Sequence, residues 1–135
     1  MASLVVLISG GGTNLQAIID AIASGVLQDT RIELVISNRK AAFGLERAQK
    51  AGIDTFYHNL VTYGKQFPSS DPSSRYSTEA REAYDADLAK KILSVKPSSA
   101  RKFLIVCAGW MHILSDTFLR PLAERQVPTI NLHPA

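Results

Sequence analysis

The run Leu4-Val5-Val6-Leu7-Ile8 contains no polar side chain, the pattern of a strand covered on both faces. Ser9-Gly10-Gly11-Gly12-Thr13 stops it, and from Asn14 the apolar period changes. Leu15, Ile18, Ile19 and Ile22 fall at i, i+3, i+4 and i+7, one stripe along a helix that Gly25 closes. The alternation then repeats. Residues 32–36 read as a second strand, 43–51 as a second helix closed by Gly52, and 55–57 as a short third strand.

Residues 62–77 keep neither period. Pro68, Pro72 and the serines Ser69, Ser70, Ser73, Ser74 and Ser77 predict a mobile surface loop, and not a domain boundary, because the fold pattern resumes after it. Ser77 or Thr78 is placed to cap the next helix, with Glu79 and Glu82 in its first turn complementing the dipole. Tyr84, Leu88, Ile92 and Val95 make that helix's buried stripe, and Pro97 ends it. Residues 103–108 are a fourth, wholly apolar strand, 115–125 a short helix disturbed at Pro121, and 129–132 a fifth strand.

Strand and helix in alternation require right-handed crossovers and a parallel sheet. The expected fold class is α/β: a parallel twisted sheet with helices on both faces, Rossmann-like, in one domain over 1–135. The first strand is central, with strands two and three on one side and four and five on the other. Ligands of such sheets bind beyond the carboxyl ends of the strands, at the switch point between strands one and four. Segments 10–14, 109–114 and 131–133 arrive there.

Composition narrows the function classes. Fifteen basic against twelve acidic residues leave a formal charge of +3, and the basic side chains are scattered without interleaved aromatics, so no nucleic-acid partner is expected. Apolar residues at 46% and charged residues at 20% are those of a globular chain. The single cysteine, Cys107, forms no internal disulfide; it lies inside the fourth strand and reads as core. The histidines lack ligand spacing and acidic company, so no metal is expected, and His58 reads as a surface residue. The apolar run at 4–8 is too short for a signal peptide, and no run reaches the ~20 residues of a membrane span. A cytoplasmic protein without membrane contact is expected.

Gly10-Gly11-Gly12-Thr13-Asn14 joins a strand to a helix start, where free backbone N–H groups favour an anion and glycine lets the backbone approach it. A P-loop would need Lys and then Ser or Thr after the last glycine, where Asn14 and Leu15 stand. The dinucleotide fingerprint would need Gly or Ala at Leu15 and an acid near Ser37-Asn38-Arg39. A single phosphate fits better, helped by the Thr13 and Asn14 side chains; a tight turn of small residues satisfies the same pattern. In the fifth strand Asn131 and His133 share a face. An amide can hold an oxyanion and an imidazole can move a proton near neutral pH, while a capped strand end would look alike.

With these segments in place, the chain resembles the phosphoribosylglycinamide formyltransferases of purine synthesis. The match is carried by residues 5–18, by Ile36-Ser37-Asn38 with Ala42-Phe43-Gly44-Leu45-Glu46-Arg47-Ala48, by Arg81-Glu82-Ala83-Tyr84-Asp85, by residues 108–114, and by Asn131-Leu132-His133-Pro134. The resemblance implies a formyltransferase N-terminal domain moving a formyl group from 10-formyltetrahydrofolate to the amine of 5-phosphoribosylglycinamide. It implies that Gly12, Thr13 and Asn14 hold the substrate phosphate, that Asn131 stabilises the oxyanion, and that His133 passes a proton to the departing folate nitrogen. Met111, His112, Ile113 and Leu114 would line the pterin pocket with Trp110 as a wall, and Arg81 would meet an anionic end of the folate. An i,i+4 pair with Asp85 is the other reading of Arg81.

Three departures accompany the resemblance. Bacterial-type members carry Arg where His112 stands. The stretch 68–77 looks like an insertion of a fungal kind. The family continues past His-Pro with a Ser-Leu-Leu-Pro segment, further strands and a catalytic Asp, so the expectation is an N-terminal portion, inactive alone and prone to self-association as a homodimer. Two other functions fit the residues less well: a formyltetrahydrofolate hydrolase or methionyl-tRNA formyltransferase relative, and a non-catalytic nucleotide-binding module.

Overall fold

The computed structural model describes residues 1–98 and 102–132. Along the chain run β1 (Ala2–Ile8), α1 (Thr13–Ala23), β2 (Thr30–Ser37), α2 (Phe43–Lys50) and β3 (Thr55–Tyr57). Then come α3 (Leu60–Gln66), α4 (Thr78–Ser94), β4 (Lys102–Ala108), α5 (Asp116–Glu124) and β5 (Thr129–Leu132). The strands form one five-stranded sheet in the order β3-β2-β1-β4-β5, every pair parallel. The central position of β1 and the switch point beside β4 are those expected from the alternation.

Side-chain alternation along β1 divides the core into two layers. Val5 and Leu7 join Tyr84, Leu88, Phe118 and Leu122 from α4 and α5, while Leu4, Val6 and Ile8 join Leu15 of α1 and Ala48 of α2. Burying one such leucine or valine fully stabilises the fold by about 1.5–3 kcal/mol, so β1 alone is a large contributor. Opposite it, β2 slips by one residue between the Leu4–Ile32 and Val5–Leu34 pairs. The skipped Glu33 accepts a hydrogen bond from the Ser3 hydroxyl at 3.2 Å, and the slip resets which face Leu34 and Ile36 supply.

Five expectations are corrected. Residues 60–66 are helical: the Asn59 side chain accepts from the Val61 N–H and starts α3, a polar cap in a segment with no buried stripe. The serine-rich stretch after it is stapled back, for the Ser77 hydroxyl donates to the Phe67 carbonyl and the Tyr76 ring lies against Gly64. Helix α5 passes through Pro121 without ending. His58 is buried, because the Tyr84 ring stacks on it at 4.0 Å between centroids. Trp110 is 9% exposed and belongs to the core layer under α4 and α5, so it plugs that layer instead of walling an open pocket.

Candidate functional site

The glycine loop after β1 is fixed by its backbone. The Gly10 carbonyl accepts from the Gly44 N–H at 3.1 Å, and the Gly11 carbonyl from the Arg47 Nε–H at 2.8 Å. In a trans peptide the C=O of one residue opposes the N–H of the next, so the N–H groups of Gly11 and Gly12 turn away from α2. Gly12 itself has φ 76° and its carbonyl takes the first bond of α1, from Gln16 at 2.8 Å. Beyond it the opening N–H groups of α1 have no partner within the helix, the arrangement that accepts an anion. Two glycines make this packing feasible. A Cβ on Gly12 would stand 2.6 Å from the Gly44 Cα, and one on Gly44 would collide with the Ile8 side chain. Arg47 lies over the Phe43 ring and also reaches the Gln16 side chain, so its guanidinium braces the loop. Thr13 is exposed and Asn14 half-buried, both at the start of α1.

Side chains fix the loop after β4. Ser9 is buried; its N–H donates to the Gly109 carbonyl and its hydroxyl accepts from the Met111 N–H at 2.9 Å. Past Gly109, which has φ 76°, the side chains alternate. Trp110 and His112 turn inward, while Met111 and Ile113 are 76% and 89% exposed. The His112 Nε2 meets the buried Asp85 carboxylate at 2.7 Å, and the second carboxylate oxygen accepts from the Ser115 N–H, also at 2.7 Å. Asp85 therefore faces inward, and Arg81 stays exposed one turn away, so the i,i+4 pairing is not formed.

The rings of Phe56, His58, Tyr84, His112 and Trp110 contact one another in sequence across this end of the sheet. His58 Nε2–H donates to the Tyr84 carbonyl and the Tyr84 hydroxyl donates to the His58 carbonyl, a reciprocal clasp. Burial holds the His58 imidazole below its ordinary pKa, against the Tyr84 carbonyl that favours the proton. Burial also pushes the Cys107 thiol up to about 11, which removes it as a nucleophile at neutral pH.

Leu7, Cys107 and Asn131 lie side by side on β1, β4 and β5, so the chain segments that follow leave the sheet as neighbours. Asn131 is exposed at the carboxyl end of β5. Leu132 packs on the layer of α1 and α2, which puts Asn131 on the face of α4 and α5. His133 and Pro134 lie outside the described residues. A cavity of about 630 Å³ lined by Ile19, Ile22, Ile32 and Ile53 opens at the opposite, amino end of β2 and β3. It shares no residue with these loops.

A family profile described as "Formyl transferase" matches residues 2–135. The chain belongs to that family. Formyl transferases similar to it include the phosphoribosylglycinamide formyltransferase of Schizosaccharomyces pombe, 53% identical over 137 residues, covering 100% of this chain and 59% of the relative. The enzyme of the same name from Saccharomyces cerevisiae is 46% identical over 136 residues, again 100% of this chain and 59% of the relative. Among solved structures, the phosphoribosylglycinamide formyltransferase of Coxiella burnetii superposes with a TM-score of 0.72 at 40% identity, over 98% of this chain and 51% of that one. The chain thus spans somewhat over half the length of the relatives it matches.

Ser9, Asp85, Ser115, Gly44 and Arg47 build the site, a role that the sequence analysis gives to none of them. A signal was present for Asp85. It is an acid beside Tyr84 on a stripe otherwise continued by Leu88 and Ile92, and an acid that is buried requires donors. Nothing comparable marked Ser9, which reads as the residue that ends a strand.

Proposed function

We propose that this chain supplies the nucleotide and folate sites of a phosphoribosylglycinamide formyltransferase, with residues 1–135 acting as one cytoplasmic domain. The observation that carries the reading is the meeting at Ser9 of an anion-ready glycine loop and an apolar-tipped loop, one strand from Asn131. Gly12, Thr13 and Asn14 take the ribonucleotide phosphate through backbone N–H groups and their own side chains. The exposed Met111 and Ile113 suit a flat, largely apolar heterocycle, so the residues present fit the pterin of 10-formyltetrahydrofolate, and exposed Arg81 suits its carboxylates. The bound folate supplies the formyl carbon. Asn131 donates an amide N–H to the oxygen that gains charge when the substrate amine adds, and His133 carries the proton to the leaving nitrogen.

The test is Asn131→Ala in the protein expressed from its complete reading frame, with formyl transfer followed as a function of ribosylglycinamide phosphate. Turnover is expected to fall roughly a hundred- to a thousandfold, the usual effect of losing one oxyanion donor. The nucleotide dissociation constant is expected to hold, because the phosphate grip lies on another strand. A loss below about tenfold takes Asn131 out of that role. Formyl transfer that ignores the ribonucleotide favours a hydrolase or another amine acceptor.

A further inference from the structure

Asp85 has no part in the chemistry above, yet its carboxylate is 0% exposed in the middle of α4. A carboxylate in such a place is held only by donors to both oxygens, and both are present. One oxygen accepts from His112 Nε2 and the other from the Ser115 N–H, each at 2.7 Å. These donors bracket Ile113 and Leu114, and Ser9 holds the Met111 N–H on the other side. An apolar residue at position 85 would fill the same space but leave the segment 112–115 untied. Because the His112 ring is drawn inward, its neighbours Met111 and Ile113 are forced outward.

We infer that Asp85 is the positioning residue of the folate-side loop: through His112 and the Ser115 amide it holds the conformation that presents Met111 and Ile113. The inference rests on the reading of that loop as the folate's. Asp85 is buried beneath that loop and its hydrogen bonds go to His112 and Ser115, not to the glycine loop, so its removal is expected to affect one ligand only.

The test compares Asp85→Ala, Asp85→Asn and His112→Phe in the protein from its complete reading frame. Calorimetry with 10-formyltetrahydrofolate and with ribosylglycinamide phosphate reads affinity, and hydrogen exchange reads the Met111 and Ser115 amides. Asp85→Ala is expected to weaken folate binding by about tenfold or more, the effect of losing hydrogen bonds to a charged acceptor, and to speed exchange at both amides. Ribonucleotide affinity stays within about twofold. Asp85→Asn is expected to restore folate affinity to within about threefold. Its oxygen serves the Ser115 N–H while its amide donates to the imidazole in the other tautomer. If Asp85→Ala does not fold, His112→Phe keeps a ring against Tyr84 and Trp110 but loses the donor, and the same one-sided loss is expected. A folded Asp85→Ala or His112→Phe protein with unchanged folate affinity overturns the inference alone. A wild-type protein that binds the ribonucleotide but no folate removes the functional reading and the inference with it.

Discussion

The loop after β1 is held through its own backbone carbonyls, taken by the Gly44 N–H and the Arg47 side chain, and the loop after β4 chiefly by the side chains of Ser9 and Asp85. In the first, Gly44 and Arg47 take two consecutive carbonyls, and the Gly12–Gly44 approach leaves no room for a Cβ. In the second, a serine hydroxyl and a buried carboxylate hold the Met111 and Ser115 amides and the His112 ring. The first design is intolerant of a side chain at Gly12 or Gly44. The second can be retuned by changing single side chains while the sheet stays as it is. On the function proposed above, a rigid backbone cradle suits a phosphate, which is the same in every nucleotide, whereas an apolar heterocycle gains from a surface whose side chains can be exchanged.

Four measurements sharpen that contrast. Gly12→Ala should give the largest effect, a loss of about 3 kcal/mol in urea melts, from a strained left-handed residue plus overpacking against Gly44. A change under about 1 kcal/mol would mean that the glycine contact is not what fixes the loop. Gly11→Ala separates ligand approach from fold, because a Cβ there meets nothing within 4 Å. Stability should stay within about 0.5 kcal/mol while ribonucleotide affinity drops roughly tenfold; unchanged affinity would take the phosphate off this backbone.

Ser9→Ala acts on the other loop. Losing the acceptor for the Met111 N–H should destabilise by about 1 kcal/mol and speed exchange at that amide, with the Gly11 and Gly12 amides unaffected. Equal changes in both loops would deny that they are held independently. The smallest effect concerns His58, whose folded pKa lies below the unfolded value of 6.5 because burial disfavours the cation. The unfolded chain therefore binds more protons near that pH, so the contribution is present above 6.5 and is lost as pH falls through the folded pKa. Melting temperatures should fall between pH 7.5 and pH 5, and His58→Phe should flatten that slope. A slope unchanged in the variant assigns the acid sensitivity to another group.

The sheet order and the places of the strands were legible because hydrophobic runs and the change of period are local signals: residues 129–132 form the expected strand, while β1 and β2 each begin two residues before the expected Leu4 and Ile32. The cap at Ser77 was legible for the same reason, its hydroxyl accepting from the Ala80 N–H three residues on. Helix α3 was not, since a seven-residue helix with no buried side chain has no period to read. The inward turn of His58 depends on Tyr84, twenty-six positions away, whose hydroxyl bonds the His58 carbonyl. The anchors of the second loop have the same character, with Ser9 and Met111 separated by 102 positions. Candidate ligand-facing residues could be proposed from local motifs, but of the residues that aim them only Asp85 carries a local signal. Their partners are chosen by the fold.

The ring row from Phe56 through His58, Tyr84 and His112 to Trp110 has a spectroscopic consequence. Circulating π electrons shield protons held over a ring face and deshield those at its edge. His58, stacked on Tyr84 at 4.0 Å with 22° between planes, sits in the shielding zone, while His112 meets the same tyrosine edge to face at 5.0 Å. The two imidazoles should therefore resonate apart in a proton spectrum, one displaced upfield and the other set by its Asp85 partner. That separation gives the carboxyl end of the sheet its own fingerprint, by which movement of either loop can be followed before any ligand is added.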